Sequence, residues 1–120
     1  MKTPIELYKE FLDGLVKCRK GVERRWITAG GWPDRPENKP INELLSQLNP
    51  QQRETIARLC EEAREGGIHD ALAYMDDEMA NGLRLVKEGV ELPIDPFESL
   101  HYDWVCRCAG DPWPDEPKKE

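Results

Sequence analysis

Thr3-Pro4-Ile5-Glu6-Leu7-Tyr8-Lys9-Glu10-Phe11-Leu12-Asp13-Gly14-Leu15 stands near the start of the chain, and its pattern decides the fold class. Thr3 offers an N-cap hydroxyl, Pro4 a preset φ at the first helical position, and Glu6 a carboxylate able to reach back to the cap amide. Together they make a capping box. Ile5, Tyr8, Leu12, Leu15, Val22 and Trp26 recur at helical spacing, with Phe11 and Cys18 widening the stripe. The spacing predicts a first helix running to about Trp26 and closed by Gly30-Gly31. Gly14 and Gly21 lie seven apart on one face of it, where they permit either a close approach or a kink.

The same logic repeats downstream. Gly30, Gly31, Pro33, Pro36 and Pro40 make residues 30–40 a surface loop. Ile41, Leu44, Leu45 and Leu48 predict a short second helix from Pro40. Asn49-Pro50-Gln51-Gln52 repeats the cap, proline and amide pattern and opens a third helix burying Ile56, Leu59, Cys60 and Ala63, which Gly66-Gly67 should stop. A fourth then starts at Ile68 with Leu72 and Met75. Between Leu83 and Leu92 the apolar period falls toward two around Lys87-Glu88-Gly89, predicting a β-hairpin over 83–92 with Gly89 in a bulged three-residue turn. Asp95-Pro96-Phe97-Glu98 reads as another capping box, opening a last helix that buries Phe97, Leu100, Trp104, Val105 and Cys108 and ends at Gly110. The expected architecture is mainly α: about five helices with one β-hairpin in a single compact domain over residues 1–112, followed by a Pro-rich charged tail, 113–120, that frays after Trp113.

Composition narrows the function. The 120 residues carry 17 Lys and Arg against 24 Asp and Glu, a net charge of −7. Leu, Ile, Val and Phe make up about a fifth of the chain, just above the level at which charged chains stay disordered. Nearly all of them are needed for packing. Residues 1–27 hold seven basic and four acidic side chains, and the rest is strongly acidic. That field repels nucleic acid and anionic lipid and favours a protein partner with a basic or mixed-charge surface. No apolar run reaches the ~18 residues of a membrane span and the start lacks a signal-peptide pattern, so a cytoplasmic location is expected. Cys18, Cys60, Cys106 and Cys108 then read as reduced, structural thiols, with Cys18 and Cys60 buried. Cys106-Arg107-Cys108 has the wrong spacing for a redox or zinc motif.

Four constellations could carry chemistry. His69-Asp70, beside the Asp76-Asp77-Glu78 run, supplies adjacent ligands of the kind a metal-dependent hydrolase uses. That class needs a further histidine upstream, and the other histidine, His101, lies downstream. The plainer reading makes Asp70 a complement to a helix N-terminus and His69 a surface residue. His101, with Glu98 one turn before it, has no nucleophile in reach on its own helix, because helical rise alone puts Cys108 about 10 Å away, and a Cys–His pair would need Cys18 or Cys60 to arrive through the fold. Lys17, Lys20 and Arg24 precede Trp26 as in a backbone-gripping patch, but Glu10, Asp13 and Glu23 interrupt them and the acidic 61–78 stretch offers ion-pair partners. The fourth feature is a repeat: Trp32-Pro33-Asp34-Arg35-Pro36 and Trp113-Pro114-Asp115-Glu116-Pro117 both read W-P-D-x-P. Each proline biases the preceding Trp toward extended backbone. The rings serve either as a shared lid on the core or as partner anchors, which makes Trp32, Pro33, Trp113 and Pro114 the candidate partner-binding residues.

The stretches Gly31-Trp32-Pro33, Gly66-Gly67-Ile68-His69-Asp70, Tyr102-Asp103-Trp104-Val105-Cys106 and Gly110-Asp111-Pro112-Trp113-Pro114 resemble a small bacterial family of uncharacterised proteins, a domain of unknown function. The resemblance spans most of the chain and implies no activity. The expected role is that of a protein-interaction module with no catalytic residues, metal or cofactor. A small hydrolase or metal-dependent enzyme using His69, Asp70 and the run Asp76 to Glu78 is the alternative.

Overall fold

The computed structural model describes residues 1–118. Helix α1 (Pro4–Val16) is followed by a single turn, α2 (Glu23–Arg25), which runs on into a π-helical turn at Trp26–Gly30. Then come α3 (Lys39–Ser46), the long α4 (Pro50–Ala80), a hairpin of β1 (Val86–Lys87) and β2 (Val90–Glu91), and α5 (Leu100–Cys108). The chain is thus mainly α, with four helices longer than a single turn and one antiparallel hairpin among the described residues. No helix among them is long and apolar enough to cross a membrane. Contacts gather in two compact units, Met1–Cys18 with Gly67–Glu120, and Arg19–Gly66.

In the first unit, Thr3 caps α1 as expected, its Oγ1 accepting the Glu6 N–H at 3.1 Å. Tyr8, Leu12, Leu72, Met79, Phe97, Leu100 and Trp104 form the core. The hairpin is shorter than the sequence suggests: Val86 faces Glu91 and Lys87 faces Val90, and Leu92 N–H donates to the Leu85 carbonyl at 2.8 Å. Its turn is a tight two-residue one, not a bulged three-residue one. Glu88 at φ 53° and Gly89 at φ 77° both adopt the left-handed conformation, which matches the twist of the flanking strands. Asp95-Pro96-Phe97-Glu98 does not start α5. Pro96 and Phe97 are buried and Asp95 takes φ 47°, so the helix begins one turn later with Ser99 as N-cap, accepting the Tyr102 N–H at 3.2 Å.

In the second unit, Ile27, Leu45 and Ala57 are the buried residues of a small core covered by Trp32, Leu48 and Ile56. Leu59, Cys60 and Ala63 are exposed, so the face of α4 turned inward here is that of Ala57 and Ile56, not the wider stripe expected. The Asn49 box closes reciprocally. Gln52 N–H donates to Asn49 Oδ1 at 2.8 Å, and Asn49 N–H to Gln52 Oε1 at 3.0 Å.

Two helix boundaries differ from the sequence reading. The first helix stops at Val16 and gives way to a 3-10 turn, Lys17–Arg19, because only the first part of its stripe finds a core: Tyr8 and Leu12 are buried, Val22 is exposed, and in the second unit the buried residue is Ile27, one position beyond the expected stripe. Conversely, Gly66-Gly67 does not stop α4. The helix runs through both glycines, with the buried Ala57 before them and Leu72 and Met79 after them. That burial outweighs about 1 kcal/mol of propensity lost per glycine. Cys18 and Cys60 are exposed, not buried, because α1 ends before Cys18 and α4 turns Ile56 and Ala57 inward; Cys106 and Cys108 are half-buried. Residues 119 and 120 of the expected tail lie outside the described residues. Within the tail, Lys118 N–H donates to the Pro96 carbonyl at 2.6 Å and its ammonium meets Glu98 at 2.7 Å.

Candidate functional site

Asp13, on the outer edge of α1, organises the end of α5. Arg107 donates from Nε to Asp13 Oδ1 at 2.8 Å and from Nη1 to the Asp111 carbonyl at 2.8 Å, while Trp113 Nε1–H donates to Asp13 Oδ2 at 3.1 Å. The Arg107 guanidinium lies 5.1 Å from the Trp113 ring centre, and Lys9 Nζ lies 5.9 Å from the same centre. These cation–π contacts help hold the indole. Burial pushes the Asp13 carboxyl up. The hydrogen bonds from Arg107 and Trp113 and the Arg107 charge outweigh it and hold the group below its usual range. Trp113 itself packs with its ring centre 5.3 Å from that of Phe97, tilted, and 6.0 Å from that of Tyr8, edge-on.

Beside this cluster lies a groove of about 360 Å³. Phe97 and Trp113 form its apolar floor, Tyr102 and Cys106 one wall, and Pro112 and Pro114 another. Its charged rim is acidic. Glu98, Asp111 and Glu116 line it against Arg107 and Lys118, and both cations are already bound, by Asp13 and Glu98 respectively. The Asp111 and Glu116 side chains are exposed and form no ion pair among the described residues. Tyr102 is 53% exposed, and Val105, expected in the core, is 43% exposed outside the groove.

Beneath the groove, Asp103 is buried. Its Oδ2 accepts the Tyr8 hydroxyl at 2.6 Å and its Oδ1 the Glu98 N–H at 3.2 Å. Burial raises the Asp103 pKa, the two donors oppose the shift, and the Glu98 and Asp76 charges reinforce it. Burial and the same Asp103 contact push the Tyr8 phenol far above its usual range, so it stays the proton donor. Sequence patterning did not single out this pair, because the residues are 95 positions apart.

The two W-P-D-x-P segments do not share a lid. Trp113 closes the core of one unit, whereas Trp32 covers Ile27, Leu45 and Ala57 in the other. Asn42 clamps Trp32 as a strand would: Trp32 N–H donates to Asn42 Oδ1 at 2.8 Å, and Asn42 Nδ2 to the Trp32 carbonyl at 3.1 Å. Gly31 at φ 76° makes the turn into this clamp, and a Cβ there would lie 3.0 Å from Asn42 Oδ1. Glycine alone takes that conformation without strain. Trp26 packs 5.2 Å from the Trp32 ring. Pro33 and Pro114 are exposed.

The other sequence candidates separate. Asp76 is engaged at the start of α5, its Oδ1 accepting the Leu100 N–H at 2.9 Å, while Asp77 and Asp70 are exposed. His69 meets Asp70, Nδ1 to Oδ1, at 3.2 Å, and the rings of His69 and His101 pack edge to face with centres 5.2 Å apart. In the basic stretch, Arg24 grips Glu61 through Nε at 3.1 Å and Nη2 at 2.7 Å, and Glu54 through Nη1 at 2.6 Å. These bonds raise the Arg24 pKa and lower that of Glu61, so this arginine is committed within the protein.

Fold and site together define a small, mainly α protein with an acid-rimmed aromatic groove at the end of its last helix. The chain belongs to a family of unknown function, DUF6547, whose model matches residues 1–115. No curated protein and no solved structure matches it.

Proposed function

We propose that the protein is a non-catalytic interaction module whose groove beside α5 docks a partner segment carrying an apolar anchor flanked by basic residues. The observation that carries this reading is the pairing of an aromatic floor, Phe97 and Trp113, with the exposed carboxylates of Asp111 and Glu116, which form no ion pair among the described residues. An apolar side chain entering the groove gains contact area on rigid rings, and a neighbouring lysine or arginine meets acids that have no competing cation among the described residues. The net charge of −7 steers a basic partner toward the molecule from a distance. Trp113 and Pro114 serve this surface directly. Trp32 and Pro33 form a second, clamped aromatic segment whose exposed Pro33, Asp34 and Arg35 offer a separate contact.

The test is a titration of the full chain with a ten-residue lysine–leucine peptide and with its glutamate–leucine counterpart, followed at the Trp113 indole N–H resonance. The basic peptide should shift that resonance and the acidic one should not. Replacing both acids, Asp111→Asn with Glu116→Gln, should weaken binding about tenfold, ~1.4 kcal/mol. An unmoved Trp113 resonance, or equal binding of the two peptides, would overturn the reading. Capture from native lysate by the wild type against the same double variant then identifies the natural partner.

A further inference from the structure

The chain passes between its two compact units at two places, Cys18 to Arg19 and Gly66 to Gly67. The second crossing falls inside α4, on the only pair of adjacent glycines within a helix among the described residues. We propose that Gly66-Gly67 is a hinge in α4, about which the two units change their relative orientation.

Glycine in a fold ordinarily answers one of two needs, a positive φ or the close approach of another group. Neither applies here. The positive-φ glycines are Gly31, Gly82, Gly89 and Gly110, and a Cβ added at Gly66 or at Gly67 meets nothing within 4 Å. Both positions are exposed and helical, where glycine lowers helix stability relative to alanine. What the pair supplies in return is a soft point, since glycine pairs are among the few places where a helix bends sharply.

The fixings of α4 end on either side of that point. Before it, Glu61 is held by Arg24 at 2.7 Å, Arg64 meets Glu23 at 3.4 Å, and Glu65 meets Arg19 at 3.8 Å. After it, Ile68 packs against the core that contains Leu72 and Met79. The two glycines between Glu65 and Ile68 have no side chain for either set of contacts to hold. The other crossing does not splint the helix. There α1 has ended at Val16, a 3-10 turn covers Lys17–Arg19, and Lys20 and Gly21 lie outside regular structure. A short irregular connection absorbs a change of backbone angle as hinge segments do.

The groove residues, from Phe97 to Lys118, belong to one unit, and the clamp of Asn42 on Trp32 belongs to the other. Motion at the hinge therefore alters neither surface internally. It changes how the two are presented to a partner that touches both, a consequence that rests on the interaction reading above; the hinge itself does not.

Residual dipolar couplings of the full chain, compared with those of the variant carrying Gly66→Ala and Gly67→Ala, test the proposal. In the wild type the two units should align to different degrees, and in the double variant they should share one alignment. Amides of residues 67–71, whose helical bonds reach back to residues 63–67, should be about tenfold less protected from exchange than those of residues 57–61, and the double variant should recover that factor. Gly14→Ala is the control, because Gly14 lies inside α1 with the same open space around its Cβ position. It should leave the wild-type difference in place. A single shared alignment in the wild type overturns the hinge, and so does a double variant that keeps the wild-type difference. Convergence of the two alignments in Gly14→Ala would also overturn it, by assigning the effect to general helix stabilisation.

Discussion

Trp113 donates its indole N–H to Asp13 Oδ2 at 3.1 Å across 100 residues of sequence. That bond, with the stacking on Phe97 and Tyr8, makes the segment after α5 part of the fold. Ending the chain at Gly110 should therefore cost about 3 kcal/mol or more, since it removes a large packed ring together with its bond to a carboxylate. Trp113→Phe keeps most of the packing and should cost about 1–2 kcal/mol. Urea unfolding of both variants checks the pair of values, and an unchanged midpoint for the truncation would show that the ring is not a structural cover.

The Tyr8 hydroxyl and the Asp103 carboxylate make the second long-range polar contact of the same core. Tyr8→Phe leaves a buried carboxylate oxygen unsatisfied and should destabilise the protein by about 1–3 kcal/mol. Asp103 has a raised pKa when folded. Between its unfolded value, near about 3.9, and its folded value the native state therefore binds more protons than the unfolded one. Its contribution to stability declines as pH rises through that window. Asp13 acts oppositely, with its stabilising contribution lost as pH falls through its lowered folded value. Denaturant midpoints measured from pH 3 to 7 (about the range of these carboxyls) should show the Asp103 slope vanish in Asp103→Asn and the Asp13 slope vanish in Asp13→Asn.

Gly66 and Gly67 sit inside α4, and a Cβ at either meets nothing within 4 Å. Replacing each with alanine should stabilise the protein by about 0.5–1 kcal/mol, by lowering the entropy of the unfolded chain without a steric cost. Thermal unfolding of the double variant should show a higher Tm. A decrease would mean that the glycines are needed for bending or for a contact outside this chain.

Glu88 occupies the first position of the hairpin turn with φ 53°. Asparagine tolerates that conformation better. Glu88→Asn should stabilise the hairpin by a few tenths to about 1 kcal/mol, reduced by loss of the exposed pairs with Lys2 and Lys87. Amide exchange of Val90 and Leu92, compared with wild type, reads the local effect.

Whatever depends on neighbours within a turn or two was legible from residue order. Thr3 and Asn49 cap helices because their side chains reach amides three positions on, the 83–92 stretch turns back at Glu88-Gly89, and the alternation of apolar and charged residues makes the chain mainly α. Tertiary packing decided the rest. Gly66-Gly67 carries a stop signal that burial on both sides overrides, and the stripe read from Ile5 to Trp26 is buried only in its first part, with Val22 exposed and Ile27 buried in its place. The Tyr8–Asp103 bond, the hold of Asp13 on Trp113 beside the groove and the meeting of His69 with His101 join residues far apart in the chain, 95 positions for the first and 100 for the second. Such contacts arise only when hydrophobic burial brings whole helices together, and a local pattern contains no term for which surfaces will meet.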